Sequence, residues 1–325
     1  MVTIKDIAKE TGLAVATVSR VMNNRGYISE ETRKKVNDAV KKLNYRPNEL
    51  ARSLQGKTSD VLGVIVPHIR HPYFSELVSN LEHAANKHGY QILLFNTQDQ
   101  EEKLVRYAER CSANRVAGIV LCSAQVTGEF IEQLGVPVVA IERPQEGSVG
   151  SVSCDNLSGG IIAANTLIDA GCRSLLYVGS TLDTNMPADA RSTGFEQVCR
   201  ERGVSGQIVR ADLGMYKALD YMDMLEQMVR DYPETDGVFA SSDVIAAQVL
   251  QVCRKMNIAV PERVKVIGFD DVFLSTITYP QITTIHQPIQ EMAEKAVDML
   301  CTYVNEEKEG ETIVFPVSLV KRASV

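Results

Sequence analysis

Residues 60–325 alternate between short apolar runs and amphipathic stretches, and this alternation limits the fold more than any other feature of the chain. The run at 61–66 is apolar throughout, as in strands that helices cover on both faces. Strands alternating with helices predict a parallel sheet, and two successive sets predict two doubly wound lobes in an α/β body. The predicted strands lie at 61–66, 91–95, 118–121, 136–141, 174–178, 207–211, 237–240 and 264–269.

The stretches between and after these strands have helical periodicity. They predict helices at 73–88, 101–113, 160–170 and 289–305, followed by one strand-like segment at 312–319. The helix at 289–305 is expected to pack in the core. No heptad tail of the kind that builds tetramers follows it.

Polar side chains follow several of the predicted strands, where doubly wound folds bind their ligands. Carboxylate and guanidinium groups hold paired hydroxyls, and a flat aromatic ring covers the C–H side of a sugar. These residue types therefore predict a sugar site in a cleft between the lobes. The predicted contacts are His71, Tyr73, Phe74, Glu142, Arg143, Arg191, Ser242, Asp270 and Gln287, and His68, Asp243 and Asp271 also follow strand ends.

The first 60 residues differ from the body in charge. They hold 12 Lys and Arg against 7 Asp and Glu, which leaves 22 against 34 for the rest of the chain. A basic head on an acidic body is expected of a nucleic-acid reader carried by a sensor. The head pattern predicts a helix ending near Thr11, a break at Gly12, a second helix at 15–22 and a third capped by Ser29. This is a helix-turn-helix pattern, although a three-helix cap without DNA binding fits it too.

Three motifs resemble the head and hinge of the lactose-repressor (LacI/GalR) family: TIKDIA at 3–8, ATVSRVMN at 16–23 and YRPNELARSL at 45–54. The resemblance implies a periplasmic-binding-protein-like body and an all-α helix-turn-helix head that binds double-stranded operator DNA. It implies that a small sugar, a pentose or related metabolite, switches a homodimeric repressor. It also implies crossovers between the lobes near Asp155, 239–242 and 284–287.

The resemblance assigns DNA contacts to residues of the head and hinge. Arg20 suits bidentate donation to guanine, and Val15 and Ala16 suit thymine methyl groups. Polar groups of four residues suit phosphates, which position the head without reading sequence; they are Thr17, Ser19, Asn24 and Tyr45. A hinge helix completes the DNA-binding set with Asn48, Arg52 and Leu54, of which Leu54 is the minor-groove wedge.

The predicted domains are a DNA-binding head at 1–46, a hinge helix and linker at 47–58, and an effector-binding and dimerisation body at 59–325. Four positions depart from the family pattern. Ala14 stands where a capping serine is common, and His71, Glu142 and Ser242 replace the usual Asn, Asp and Asn. These departures leave the sugar open, and they leave a catabolite-control-type regulator governed by a phosphocarrier protein as the alternative.

Other function classes find little support in the sequence. No GxGxxG or Walker motif follows a predicted strand, so no nucleotide cofactor is expected. The seven cysteines are at least eleven residues apart, which gives no metal-binding spacing. Glu142 and Asp270 resemble an acid/base pair, but no nucleophile elbow accompanies them, and we predict no enzyme activity. Without an apolar run of signal-peptide or membrane-span length, the protein is expected in the cytoplasm.

Overall fold

The computed structural model describes residues 2–22, 26–45, 59–122, 126–180, 187–306 and 311–325. The chain divides into two compact units, Met1–Ser59 and Asp60–Val325. The predicted hinge helix and linker at 47–58 lies outside the described residues, as do Asn24, Asn48, Arg52 and Leu54. In the parts of the chain that are described, every helix is too short or too polar to cross a lipid bilayer.

The described residues of the head unit form three helices, as predicted. They are α1 (Ile4–Thr11), α2 (Val15–Met22) and α3 (Glu30–Lys42). The Asp6 carboxylate accepts hydrogen bonds from the Thr3 backbone N and hydroxyl, each at 2.8 Å, and so caps α1. Gly12 ends this helix with a left-handed φ of 66°. Ser29 caps α3 by accepting from Thr32 N at 3.3 Å.

The head has its own small apolar core. Ile7 of α1, Val18 of α2 and Val36 of α3 are each completely buried. One apolar side chain from each helix meets the other two, so α2 is fixed in rotation about its axis. The face of α2 opposite Val18 therefore points to solvent.

The body alternates strands and helices in chain order. Its first half contains β1 (Val61–Val66), α4 (Pro72–Lys87), β2 (Gln91–Asn96), α5 (Glu101–Ala113), β3 (Gly118–Leu121), α6 (Gly128–Gln133), β4 (Val138–Ile141) and β5 (Gly150–Cys154). Next come α7 (Asn156–Asp169), β6 (Ser174–Ser180), α8 (Ala190–Arg202), β7 (Ser205–Ala211), α9 (Leu213–Ala218), α10 (Met222–Asp231) and β8 (Gly237–Ala240). The chain ends with α11 (Asp243–Lys255), β9 (Lys265–Asp270), α12 (Leu274–Ile277), β10 (Thr283–His286), α13 (Ile289–Glu306), β11 (Glu311–Phe315) and β12 (Ser318–Val320).

These strands form two six-stranded sheets, one in each lobe. The first has the order β11-β5-β4-β3-β1-β2, and all its strands are parallel. The second has the order β12-β10-β9-β8-β6-β7, in which only the pair β10–β12 is antiparallel. The fold prediction of two doubly wound lobes is therefore confirmed.

Within the parts that the structure describes, the chain passes between the lobes three times. It crosses after β5 at Asp155, after β10 near Gln287, and between β11 and β12 at residues 316–317. The crossover predicted near 239–242 is wrong, because β8 leads into α11, which packs on β8 and β9 of the same lobe. The single strand predicted at 312–319 is also wrong. Pro316 cannot donate to a sheet ladder, and the strands on either side of it join different sheets.

One element of the first lobe differs from the sequence prediction, and another agrees with it. The strand β5 was not predicted, and it extends the first sheet beyond the run that ends at Ile141. Helix α13 returns from the second lobe to pack against α4 and the first sheet, with Met292, Ala296 and Leu300 completely buried. The predicted core role of this helix is confirmed.

Candidate functional site

Arg191 lies at the centre of the cleft between the two lobes. It stands at the start of α8 and is 7% exposed. Helices α7 and α8 pack so closely that a Cβ on Gly160 would lie 2.0 Å from the Arg191 backbone O, which fixes where α8 begins. The guanidinium lies over the Phe269 ring, 3.5 Å from its centroid, a cation–π arrangement.

Two hydrogen bonds hold the Arg191 guanidinium in place. Nε donates to Asn156 Oδ1 at 2.7 Å, and Nη1 donates to the backbone O of Ser241 at 2.6 Å. Burial by itself lowers the pKa of Arg191, but the charges of Asp270 and Glu142 outweigh burial and raise it. The cleft thus contains a permanent, fixed positive charge.

Asp270 ends β9 and supplies a buried carboxylate beside this guanidinium. Its Oδ1 accepts from Gln287 Nε2 at 2.6 Å and lies 4.0 Å from Arg191 Nη1. The residue has a positive φ of 112°, a strained conformation for a side chain other than glycine. Burial raises the pKa of Asp270 to about 7, although Arg191 and the Gln287 hydrogen bond oppose the rise.

Two buried acceptors in this part of the cleft have no partner among the described residues. They are Asp270 Oδ2 and Gln287 Oε1, on side chains that are 3% and 2% exposed. Buried polar atoms in folded proteins nearly always have a hydrogen-bond partner. These two oxygens are therefore placed to accept hydrogen bonds from a ligand.

Asn156 connects Glu142 to Arg191 and was not predicted as a site residue. It lies at the first crossover and is 3% exposed. Its Oδ1 accepts from Arg191, and its Nδ2 donates to Glu142 Oε2 at 3.1 Å. Glu142 Oε1 also accepts from Cys154 N at 3.2 Å. Both oxygens of Glu142 are thus engaged within the protein, and its carboxylate acts through Asn156 on the position of Arg191.

The first lobe supplies an aromatic wall. His71 caps α4 by accepting from Tyr73 N at 3.3 Å, and Phe74 stands edge-on to both His71 and Tyr73 with centroids 5.9 and 5.1 Å away. Burial lowers the pKa of His71 to about 4, with smaller contributions from His68 and Arg191. The imidazole is therefore neutral at physiological pH.

Two donors of the first lobe also have no partner among the described residues. They are the buried Tyr73 hydroxyl and Arg143 Nε. Burial, followed by the charge of Glu142 and a smaller contribution from Asp270, raises the pKa of Tyr73. Because Glu142 of the first lobe is linked through Asn156 to Arg191 of the second, groups of both lobes enclose one cleft.

Ser242 and Asp243 have structural roles at the start of α11. Ser242 Oγ accepts from Ile245 N at 3.3 Å and caps the helix. Asp243 is completely buried, and its two oxygens accept from Thr284 Oγ1 at 2.6 Å and Val272 N at 3.0 Å. Asp243 therefore joins α11, β10 and the segment after β9. By holding that segment, it fixes the backbone next to Asp270.

The lobes also touch where β1 ends. His68 Nε2 donates to the backbone O of Lys217 in α9 at 2.8 Å, and the His68 ring stands edge-on to Tyr216 with centroids 6.0 Å apart. Strands β1 and β2 lie at one edge of the first sheet, and β7 lies at the edge of the second, whereas β5, β10, β11 and β12 carry the crossovers. This contact therefore closes the cleft on the side away from the crossovers.

The head presents the predicted face of α2 to solvent. Val15 is 41% exposed, Ala16 and Arg20 are exposed, and Thr17 and Ser19 are half-buried. Tyr45, after α3, is half-buried against the head core. The arrangement puts a guanidinium beside two small apolar side chains, a combination suited to base edges in the major groove.

The described residues contain no group of three or more His, Cys, Asp or Glu side chains that could hold a metal ion. The cleft groups are instead neutral or charged hydrogen-bonding groups around an aromatic wall. Such a cleft suits a small polyhydroxylated molecule better than a metal or a nucleotide.

Two family models match this chain. The model of the bacterial regulatory proteins of the lacI family matches residues 3–48, and the model of the periplasmic binding protein-like domain matches residues 164–325. The lacI model covers α1 to α3. The periplasmic binding protein-like model covers most of the second lobe, together with α13 and β11 of the first lobe.

Curated relatives match along the whole chain. The ribose operon repressor of Halalkalibacterium halodurans is 34% identical over 324 residues, which are 99% of this chain and 96% of that protein. The sucrose operon repressor of Streptococcus mutans is 34% identical over 325 residues, with 99% of each chain covered. A solved periplasmic binding protein/LacI transcriptional regulator from Alkaliphilus metalliredigens, complexed with D-xylulofuranose, is 29% identical and has a TM-score of 0.73. That match covers 82% of this chain and 99% of the solved chain.

Proposed function

This chain belongs to the lacI family of bacterial regulatory proteins, and from that premise we propose that it is a dimeric repressor whose operator affinity is switched by a pentose or a related small sugar in the cleft. The head at 1–46 reads the operator, the segment at 47–58 joins it to the body, and the body at 59–325 binds the sugar. As a reader of operator DNA, it acts in the cytoplasm, and it carries out no catalysis.

The observation that carries the effector proposal is the set of buried polar atoms that have no hydrogen-bond partner among the described residues. A sugar hydroxyl can donate to Asp270 Oδ2 or Gln287 Oε1, and its oxygen can accept from Arg143 Nε or the Tyr73 hydroxyl. Phe74 is half-buried beside them and can cover the C–H face of the ring. A neutral His71 adds no competing charge.

Relatives and the unpartnered groups of the cleft favour a sugar. One relative is a ribose operon repressor, another is a sucrose operon repressor, and the similar solved regulator holds D-xylulofuranose. The unpartnered groups come from both lobes, so one small ring can reach them together only when the lobes are closed. We propose that the lobes close around the sugar and that this conformational change is transmitted to the head.

An exposed apolar group on the second lobe supports the dimer. Phe273 is 72% exposed, Ile277 is 60% exposed and Tyr279 is 95% exposed, all within seven residues around α12. Large apolar side chains grouped on a surface mark a protein interface. We assign this group to contact with a second copy, together with α4, and two heads would then read a near-palindromic operator.

The test is a thermal-shift screen of the full chain against pentoses, hexoses, their phosphates and nucleosides. Ligand binding raises the midpoint because it stabilises by RT ln(1 + [L]/Kd). We expect one pentose-like hit. Replacement of Arg191 by Ala removes a charged hydrogen-bonding group and should weaken binding of that hit at least tenfold.

Arg202→Ala is the matched control. Arg202 lies on the same helix, α8, but its side chain is 43% exposed and pairs with Asp169 at 2.8 Å on the surface. It should leave the sugar response unchanged. Equal responses in Arg191→Ala and wild type would exclude this cleft, and silence across the panel would favour control by a phosphocarrier protein, to be tested by pull-down.

A further inference from the structure

The second lobe contains a cavity of about 230 Å³ at the end of its sheet that lies away from the cleft. Leu176 lies near the start of β6, Thr235 precedes β8 and Val264 precedes β9, so the cavity adjoins the amino ends of these strands. The cleft residue Asp270 lies at the other end of β9. We propose that this cavity is a second ligand site, for a small aromatic molecule with one hydrogen-bonding group.

The cavity is apolar inside and opens beside polar groups. Val238 and Cys253 line its interior and are 2% exposed, whereas Tyr232 at its edge is 37% exposed. Burial raises the pKa of the Cys253 thiol to about 11, so this thiol is a neutral, unreactive part of the wall. The walls therefore favour an uncharged aromatic ligand.

The volume suits a molecule of one or two fused rings. An engineered apolar cavity of about 150 Å³ in another protein binds benzene. The cavity here is larger by roughly half, which admits a bicyclic ring such as indole. A sugar of similar size would bury its hydroxyls against apolar walls, at a cost that the cavity cannot offset.

Thr235 supplies the single polar handle. It lines the cavity and is 8% exposed, and its Oγ1 has no hydrogen-bond partner among the described residues. Its backbone is already engaged, since N donates to Tyr232 O at 3.1 Å and O accepts from Arg263 Nη1 at 2.7 Å. The fixed backbone leaves the hydroxyl free to accept from one N–H or O–H of a bound molecule.

Helix α11 connects this cavity to the cleft. It begins at Asp243 behind Asp270, and Cys253 near its other end lines the cavity. A ligand in the cavity packs against the end of a helix whose start supports the effector site. The site itself does not depend on the proposed sugar, so its test stands apart from the sugar screen.

The experiment measures binding of indole and indene to the full chain by isothermal titration calorimetry. The two molecules have the same shape, but only indole has an N–H. In wild type, indole should bind about fivefold more tightly than indene, the effect of one neutral hydrogen bond. Thr235→Val keeps the volume and removes the hydroxyl, so indole should then bind no more tightly than indene.

Cys253→Leu is the second variant, because its larger side chain fills the interior of the cavity. It should weaken the binding of both ligands at least tenfold. Cys301 lies outside the cavity, so Cys301→Ser should change neither affinity. No indole binding to wild type, or an indole preference that survives in Thr235→Val, would overturn the proposal. The Thr235→Val comparison decides the question even if Cys253→Leu fails to fold.

Discussion

At the scale of single residues, burial in the cleft changes the pKa of Asp270. Burial raises its pKa from the ordinary value of 3.8 to about 7, against the opposing charge of Arg191. The folded state therefore holds the Asp270 proton more tightly than the unfolded state between these values. The stability that this proton contributes is complete below about pH 4 and is lost as the pH rises through about 7.

Asp270→Asn should remove this dependence, because the amide cannot ionise. The free energy of unfolding of the variant minus that of wild type should rise between pH 5 and pH 7, by at most about 1.4 kcal/mol per pH unit. Urea denaturation at several pH values measures both free energies of unfolding. His71 contributes to both in the opposite direction, and its contribution drops out of the difference. A flat profile for Asp270→Asn would contradict the raised pKa of Asp270.

The sequence identified most of the charged cleft residues but missed the residue that organises them. Asp270 could be predicted because a carboxylate that follows a strand suits sugar hydroxyls, and Arg191 because a guanidinium suits paired hydroxyls. Asn156 carries no such signal, since an asparagine after a helix-capping Asp155 is ordinarily a solvent-exposed first-turn residue. Its role depends on Glu142 and Arg191 reaching it from two different lobes, which only the folded chain shows.

At the scale of elements, hydrophobic pattern predicted the long strands and failed where the pattern was weak. The run at β1 is apolar on both faces, so its burial and type follow from sequence. Strand β5 contains Gly150 and two serines and has no such run, although every residue of it is buried. Helix α7 starts four residues before the predicted position, because the Asp155 carboxylate accepts from Ser158 N at 2.9 Å and caps it there.

Helix α2 gives the prediction at this scale. Val18 and Val21 are buried in the head core, so the helix can present Arg20 to DNA without losing stability when Arg20 is replaced. Arg20→Ala should weaken binding to an operator selected from a random duplex library by about 1–3 kcal/mol, and should relax the preference at one base pair.

Lys35→Ala on α3 is the control for general electrostatics. Lys35 is exposed and lies outside α2, so its replacement should weaken binding to the selected duplex and to a scrambled duplex by the same factor. Fluorescence anisotropy on both duplexes at a fixed salt concentration measures the two effects. A uniform loss for Arg20→Ala across both duplexes would show that Arg20 contacts phosphate and reads no base.

At the scale of the whole molecule, the cleft lies between two sets of connections. The crossovers at Asp155, Gln287 and residues 316–317 join the lobes on one side, and the contact of His68 with α9 joins them on the other. A ligand that bridges Arg143 in one lobe and Asp270 in the other stabilises the closed arrangement. Two states that differ in this closure are enough to couple the cleft to the head in a dimer.

The central claim is this coupling, and reciprocal titration of effector and operator tests it most directly. Operator affinity of the dimer is measured with and without a saturating amount of the sugar found by screening, and sugar affinity is measured with and without operator. Both affinities should change by the same factor, about 5- to 150-fold, in wild type and in Arg202→Ala. A sugar that binds the cleft and leaves operator affinity unchanged would contradict it.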